Sequence, residues 1–514
     1  MGTPLRWLGE PLLDAGLAYL LIHSNKRDPK LITEEDWRAW LTKIEDDYKG
    51  GFVDRLLSVA FTQNGFNNPS WKSGGGREVK ISEIFGLAKE GKNYKGASSE
   101  PRPLPEVKCA FYEDEPAVIL IGRDRFPLLP ERRSLNFTLN GSGYLPVSQW
   151  ALGCILGFIY VAPLISGRLL VPASLEPQLL LRAAEALYHK YVSLLIKMAR
   201  EGGKLEIKNP LSRFGEVLEE ILSVSEEGDE GFPIQAFYFS NSGQDPDAEI
   251  YWYVSAVQTF LRRVRAERYY PAWRAFLHSF WVVEEKRGGL TVPEQVRESL
   301  PPEKQTSSKS ISAHQSRNLI YEVLPDLPEA APLFIRFFFK GYAYRSLNLV
   351  RGYRRVAYGG SLALPHLDYK PIWEVVELFV EVFLPSMTQE QIDIIKRLAA
   401  DLASLVTTGR EPRAHKKLLG LGGSQVSRYD VWRVLLIRLL RKALSSEGKL
   451  LFSLDEYLTL FETAEGYPER NWKLARDLLQ IALIEELYKQ GYFEKDKAAL
   501  EQLSNHTEDE TEIL

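Results

Sequence analysis

Residues 150–170 read WALGCILGFIYVAPLISGRLL, the most apolar stretch of a 514-residue chain. Its length is nearly enough to cross a bilayer. Pro163, Gly167 and Arg168 interrupt it, and no basic flank precedes it. The pattern therefore predicts a buried helix followed by a core strand at Gly167-Arg-Leu-Leu-Val-Pro, not a membrane span. Residues 107–173 read as strands and turns around that buried helix, with Val118-Ile-Leu-Ile-Gly as another core strand. The first apolar run, Leu12 to Ile22, is short and carries Asp14, so it does not read as a secretory signal.

Working outward, residues 8–60 read as helical. Thr33-Glu-Glu-Asp supplies a hydroxyl cap and first-turn acids. Residues 61–76 and 91–106 have loop composition. Residues 177–199 are strongly helical, 225–250 mix acidic turns with one strand at 234–240, and 251–285 return to helix. Residues 297–315 read as an exposed loop. From Pro371 onward, apolar residues recur at three- and four-residue spacing through 372–384, 391–406, 429–444 and 471–490. No repeat of solenoid length is present. The fold class expected is α+β: a mixed N-terminal region followed by a predominantly helical C-terminal bundle. The composition breaks divide it at 1–106, 107–370 and 371–514.

The length implies two to four domains. With 45% hydrophobic and 26% charged residues the composition is globular. A net charge of −4 rules out a polycation, so any nucleic-acid binding must come from local basic tracts. Cys109 and Cys154 lie far apart, which argues against a disulfide framework and fits a reducing cytoplasm. Enzymatic signatures are missing: no phosphate-binding loop with its lysine, no HExxH, no GxSxG and no CxxC pair. Gly420-Leu-Gly-Gly-Ser lacks both lysine and preceding strand and reads as an inter-helix turn. The expectation is a non-catalytic protein with no cofactor and no metal.

Three basic tracts stand out. In 331–367, Arg336, Lys340, Arg345, Arg351, Arg354 and Arg355 occur without any acid, interleaved with Phe337, Phe338, Phe339, Tyr342, Tyr344, Tyr353 and Tyr358. Cations neutralise phosphates and aromatic faces stack on unpaired bases; the competing reading is aromatics in a core with solvated basics. Arg262 and Arg263, with Arg265 and Arg268, form a second cluster that an exposed helix face also explains. In the third, 396–449, twelve basic residues face four acids. Its main members include Arg413, Lys416, Lys417, Arg438, Arg441 and Lys442, the last three sharing one helix face. A groove for a single strand and a solvated bundle surface both fit. Finally, Phe61-Thr-Gln-Asn-Gly-Phe-Asn-Asn-Pro-Ser-Trp-Lys packs amides that can read base edges, though Asn, Gly and Pro are also plain turn formers.

The segment Leu8-Gly-Glu-Pro-Leu-Leu-Asp-Ala-Gly-Leu-Ala, an acidic helix at 33–47 and the Asn-rich stretch from Phe61 to Trp71 resemble, in that order, the opening of the large subunit of type I-B CRISPR Cascade. That family is named for its CXXC–CXXC region. Cys109-Ala-Phe-Tyr falls where its first pair belongs, and Gly122-Arg-Asp-Arg-Phe-Pro-Leu-Leu, Asn136-Phe and Gly143-Tyr-Leu-Pro-Val continue the likeness over about residues 8–200. The chain departs from the pattern at the metal. Tyr112 replaces the second cysteine, Val147-Ser-Gln-Trp150 replaces the second pair, and Cys154 is out of register. Zinc needs about four ligands, so packing through Phe111, Tyr112 and Trp150 is expected instead.

The resemblance implies a role, not a reaction. Such a subunit binds the 5′ handle of crRNA, recognises the motif flanking double-stranded target DNA, steers the displaced strand and docks an effector. Its partners are the backbone, handle-binding and small subunits and a nuclease-helicase, or a transposition adaptor if the complex serves a transposon. Sequence reading is left to RNA–DNA pairing. On this reading Gln63, Asn64, Asn67, Asn68 and Lys72 approach the flanking motif, with Arg123 and Arg125 as weaker contacts. The family's helical C-terminal part resembles the small subunit, and Met387 is a candidate internal start for a separate product. The rivals are a nuclease with a diffuse site and a scaffold without nucleic-acid contact.

Overall fold

The computed structural model describes residues 3–61, 76–91, 107–128, 145–223, 232–241, 246–286, 289–297, 309–346, 362–363, 370–409, 414–420, 426–448 and 450–492. The chain is α+β, mostly helical, with small sheets and a helical C-terminal region. It divides into two compact units, Met1–Ser255 and Ala256–Leu514. The sequence divisions at 106/107 and 370/371 each fall inside one unit. Loop-like composition marks connections, whether or not a connection separates two cores.

Unit 1 surrounds helix α1 (Pro11–His23), whose residues from Leu12 to Leu21 are all buried. Pro11 occupies the first turn, where a missing N–H costs nothing, and the Glu10 carboxylate caps the Leu13 amide at 2.7 Å. Helices α2 (Glu34–Lys49), α3 (Asp54–Ala60) and α4 (Gly76–Glu90) follow, then strands β1 (Ile119–Ile121) and β2 (Leu145–Val147) and helix α5 (Gln149–Gly157). The expected cap on α2 is present as a reciprocal Thr33–Asp36 capping box.

Every residue of α5 after Gln149 is buried. Its small residues let neighbouring elements come close. A Cβ on Gly16 of α1 would collide with the backbone of Cys154, and Cβ atoms on Gly153 and Gly157 would collide with the rings of Trp37 and Trp40. Trp37 Nε1 reaches the Ala88 carbonyl at 3.0 Å and Tyr48 Oη the Leu156 carbonyl at 2.8 Å, so these rings are oriented as well as packed. After the 3₁₀ turn Phe158–Val161 come β3 (Leu164–Ile165) and β4 (Arg168–Ser174). The apolar stretch at 150–170 is thus a buried helix and a core strand. Among the described residues no helix is long and apolar enough to cross a membrane.

Helices α6 (Pro177–Leu187), α7 (Ser193–Arg200) and α8 (Pro210–Ile221) precede β5 (Ile234–Ser240) and β6 (Asp247–Tyr253). The sheet runs β3-β4-β5-β6, antiparallel throughout, with Phe237 opposite Val171 and Ile250.

Unit 2 holds α9 (Ser255–Arg263), α10 (Tyr270–His278) and a sheet of order β10-β7-β8-β9, from β7 (Val283–Lys286), β8 (Gly289–Pro293), β9 (Lys309–Ile311) and β10 (Leu362–Ala363). A helical run Ala331–Phe334 continues as π-helix Ile335–Phe339 and α11 (Lys340–Ser346). Then come α12 (Trp373–Phe383), α13 (Gln389–Thr407), α14 (Ala414–Leu418), α15 (Tyr429–Glu447), α16 (Leu454–Phe461) and α17 (Trp472–Lys489). Helices α12, α13, α15 and α17 match the four apolar-periodic segments. Helix α17 is buried without a break from Leu474 to Glu485 and packs against α11, α12, α13 and α16.

Two expectations fail. The helix read over 251–285 begins in β6 and ends in β7, with helix only at 255–263 and 270–278. Ile250 and Trp252 alternate with Glu249 and Tyr251, a period of two that the acid-rich surroundings hide. The loop read over 297–315 contains β9, paired in parallel with β8.

Met387 precedes Thr388, which caps α13 reciprocally with Gln391. A product starting there would lack α12 and the 331–346 run. The buried Glu485 carboxylate accepts from the amides of Ile372 and Trp373 at 3.0 and 2.7 Å and so fastens the start of α12 to α17.

Gly16→Ala should lower the stability of the chain by about 2–3 kcal/mol, since the added methyl meets backbone that cannot turn aside. A urea unfolding midpoint unchanged from wild type would show that α1 and α5 are not in close contact.

Candidate nucleic-acid interface

The Cys109-Ala-Phe-Tyr segment forms a tight turn ahead of β1. Cys109 Sγ accepts from the backbone amides of Phe111 and Tyr112, each at 3.4 Å. Phe111 stacks on Phe126, the Tyr112 ring is buried under the Arg6 guanidinium, and Trp150 donates to Glu115 at 3.2 Å while packing on Trp37. In Val147-Ser-Gln-Trp150 the chain ends β2 at Val147 and caps α5 with Ser148. Both cysteines are buried and carry no disulfide. Among the described residues no group of three or more His, Cys, Asp or Glu side chains could hold a metal.

Two acids near this turn have the raised pKa values often found in acid–base sites. Burial lifts Glu10 to about 7 and Asp14 to about 6. Asp14 accepts from the amides of Leu8 and Gly9 at 2.9 and 2.7 Å, and Glu10 caps α1. Both hold the chain's entry into α1. The adjoining pocket, between Gly9, Asp14, Leu175 and Gln235, is only about 60 Å³.

The basic candidates sort by partner. Arg123 Nε donates to Asn241 Oδ1 at 3.1 Å, and buried Asn241 donates back to the carbonyls of Arg123 and Ala60. Arg123 therefore clamps the end of β5 to its own turn. Arg125 lies 3.7 Å from Asp124. Arg263 makes a two-pronged pair with Glu381 at 2.7 and 2.8 Å, which pulls the Glu381 carboxyl below its ordinary range. Arg262 is half-buried, and Arg265 and Arg268 lie over the rings of Tyr270 and Tyr269.

The aromatic tract is largely core. Phe338, Phe339, Tyr342 and Tyr344 are buried, with Phe339 stacked against Phe276 and edge-on to Phe379. Arg336 and Lys340, one helical turn apart, converge on the buried Asp477 carboxylate at 2.9 and 3.2 Å, and Arg476 joins them at 2.6 Å. These two cations are committed internally and are not free for phosphates. Burial alone would raise Asp477; Lys340, Arg476 and Arg336 more than offset it and hold the carboxyl below its ordinary value. Nothing in the sequence pattern points to Asp477, though the four-residue spacing of Arg336 and Lys340 allows a shared partner.

The third tract splits. Lys396 pairs with Glu377, Arg397 with Glu456, Arg428 with Asp430 and Arg433 with Glu462. Arg438, Arg441 and Lys442 are exposed on one face of α15, and α14, which packs against α15, carries half-buried Lys416 and exposed Lys417. Between Asp430 and Glu447 helix α15 has four cations and no acid. Among the described residues Arg438, Arg441 and Lys416 have no carboxylate partner. This face is the candidate interface.

Gln63, Asn64, Asn67, Asn68, Lys72, Arg351, Arg354, Arg355 and Arg413 lie outside the described residues. Arg345 falls on α11 by its backbone. Comparison of the chain with family models, curated proteins and solved structures returned no match.

Asp477→Asn should destabilise the chain by about 3 kcal/mol near neutral pH, by leaving clustered cations against a neutral amide. A depressed carboxyl stabilises the fold above its unfolded-state value and loses that contribution as pH falls through the folded one. The variant should therefore lack part of the wild type's stability loss below about pH 4. Identical acid unfolding curves would contradict the pairing.

Proposed function

We propose that this chain is a non-catalytic, nucleic-acid-binding large subunit of a type I-B Cascade-like guide-RNA complex, and that α15 lies against a single strand of the opened target. The observation that carries the contact is the exposed face with Arg438 and Arg441, cations with no carboxylate partner among the described residues, on a helix that has no acid between residues 430 and 447. An unpaired guanidinium can release counterions from a phosphate chain; one already held by a carboxylate gains little. The supporting context is the order of family-like segments in residues 8–200, which includes a turn where the Cys109 thiol accepts from the amides of Phe111 and Tyr112.

On this reading the structure divides labour between its basic residues. Arg123, Arg263, Arg336 and Lys340 shape the protein. Arg438 and Arg441, with Lys442, Lys416 and Lys417 beside them, make sequence-independent contact. Recognition of the flanking motif is left to the Asn-rich segment at 61–72.

The test is Arg438→Gln/Arg441→Gln in the assembled complex, with binding to a guide-matched duplex measured across salt concentrations. Loss of two single-strand phosphate contacts should flatten the slope of log K against log salt by about 1.4 and weaken binding roughly tenfold at moderate salt. An unchanged slope would remove α15 from the interface.

A further inference from the structure

The two edges of the β3-β4-β5-β6 sheet are treated differently. At one edge β3 has two residues, both buried, and Ile165 is bridged to Ile207, whose carbonyl accepts from the Ser166 amide at 2.9 Å. At the other, β6 pairs with β5 in unbroken register over seven residues, with no bulge and no proline inside the strand. Pro246 lies just before it and leaves the amides of residues 247–253 in place. Among the described residues nothing pairs with the outer side of β6. A long regular edge is normally shortened, bulged or covered, because its free amides and carbonyls accept another strand.

The side chains of β6 are sorted by face. Ala248, Ile250 and Trp252 lie on the face shared with Val171 and Phe239, the core side of the sheet. Ile250 is nonetheless 53% exposed and Trp252 47%. The opposite face carries Asp247, Glu249 and Tyr251. There Arg168 pairs with both Asp247 and Glu249 and lies over the Tyr238 ring, on which Tyr251 stacks. Two half-exposed acids thus share one arginine, and the pair of carboxylates keeps an excess of negative charge at the edge.

We infer that β6 is a docking edge that receives an extended segment of a partner protein, one that alternates apolar residues with lysine or arginine. The segment adds a fifth strand through its main chain. Its apolar residues cover Ala248, Ile250 and Trp252, and its cations meet Asp247 and Glu249 on the other face. Charge decides against a second copy of this chain. An antiparallel self-pair centred on Ile250 would gather four acids around two arginines, and centring it on Glu249 would put that residue against itself. The inference is independent of the nucleic-acid reading, since it uses neither α15 nor the Asn-rich segment.

The test uses the full chain and a fluorescently labelled peptide, acetyl-Lys-Val-Lys-Ile-Lys-Val-Lys-amide, by anisotropy. A peptide with proline at the central position serves as control. The wild type should bind the first peptide and bind the proline peptide at least tenfold more weakly. Ile250→Ala/Trp252→Ala should weaken binding about tenfold with an unchanged melting temperature. Asp247→Asn/Glu249→Gln should remove its salt dependence. The inference is overturned if no peptide binds, if the proline peptide binds equally well, or if both variants bind like wild type. It is also overturned if the chain sediments as a dimer that Ile250→Ala/Trp252→Ala dissolves, for then a second copy is the occupant.

Discussion

The close crossing of α1 over α5 is the constraint on which unit 1 depends. Backbone meets backbone where Gly16 faces Cys154, and this places α1 deep enough to be buried on every side. The same helix α5 receives Trp37 and Trp40 against Gly153 and Gly157, so α2 is fixed by rings filling the space that side chains on α5 would take. Interiors packed at crystal-like density transmit such constraints, because a displaced ring has nowhere else to go. Asp14 belongs to the same arrangement: it holds the chain before α1 through two backbone amides, in a position that water does not easily reach.

Unit 2 is organised by charge as well as by packing. Its central helix α17 carries Arg476, Asp477 and Glu485 into the interior. Buried charge is costly unless fully partnered. Arg336, Lys340 and Arg476 partner Asp477, and two amides at the start of α12 with Lys489 partner Glu485. These contacts join the helices before residue 371 to those after it. Stability here uses cations that the sequence alone would assign to a ligand, while among the described residues Arg438, Arg441 and Lys442 stay exposed on α15.

Periodicity made the regular elements legible. The buried helix at 150, the strand at 168, the Thr33 cap and four C-terminal helices all follow from apolar spacing and capping chemistry, which are local properties. Strand β6 did not, because its alternation runs through acids and tyrosines that composition reads as a turn or a helix. The division into units did not either, because a core is defined by contacts between distant residues. Within the candidate site, the face of Arg438, Arg441 and Lys442 was readable from helical spacing. The commitment of Arg336 and Lys340 was not, since Asp477 lies more than 130 residues away in the chain. Nor was the pairing of Arg263 with Glu381 or of Arg123 with Asn241. A count of basic residues measures how many cations a segment has, and only their partners show how many are left over.

The proposal assigns the helix face presenting Arg438 and Arg441 and the exposed β6 edge to one subunit of a larger assembly. Its central claim is membership in a guide-RNA complex. The direct measurement is to tag the chain in its native host, purify it gently and sequence the RNA that accompanies it. The account predicts RNA of uniform length, with a constant repeat-derived 5′ end and variable spacers. A preparation from a host expressing the locus that carries no such RNA would contradict it.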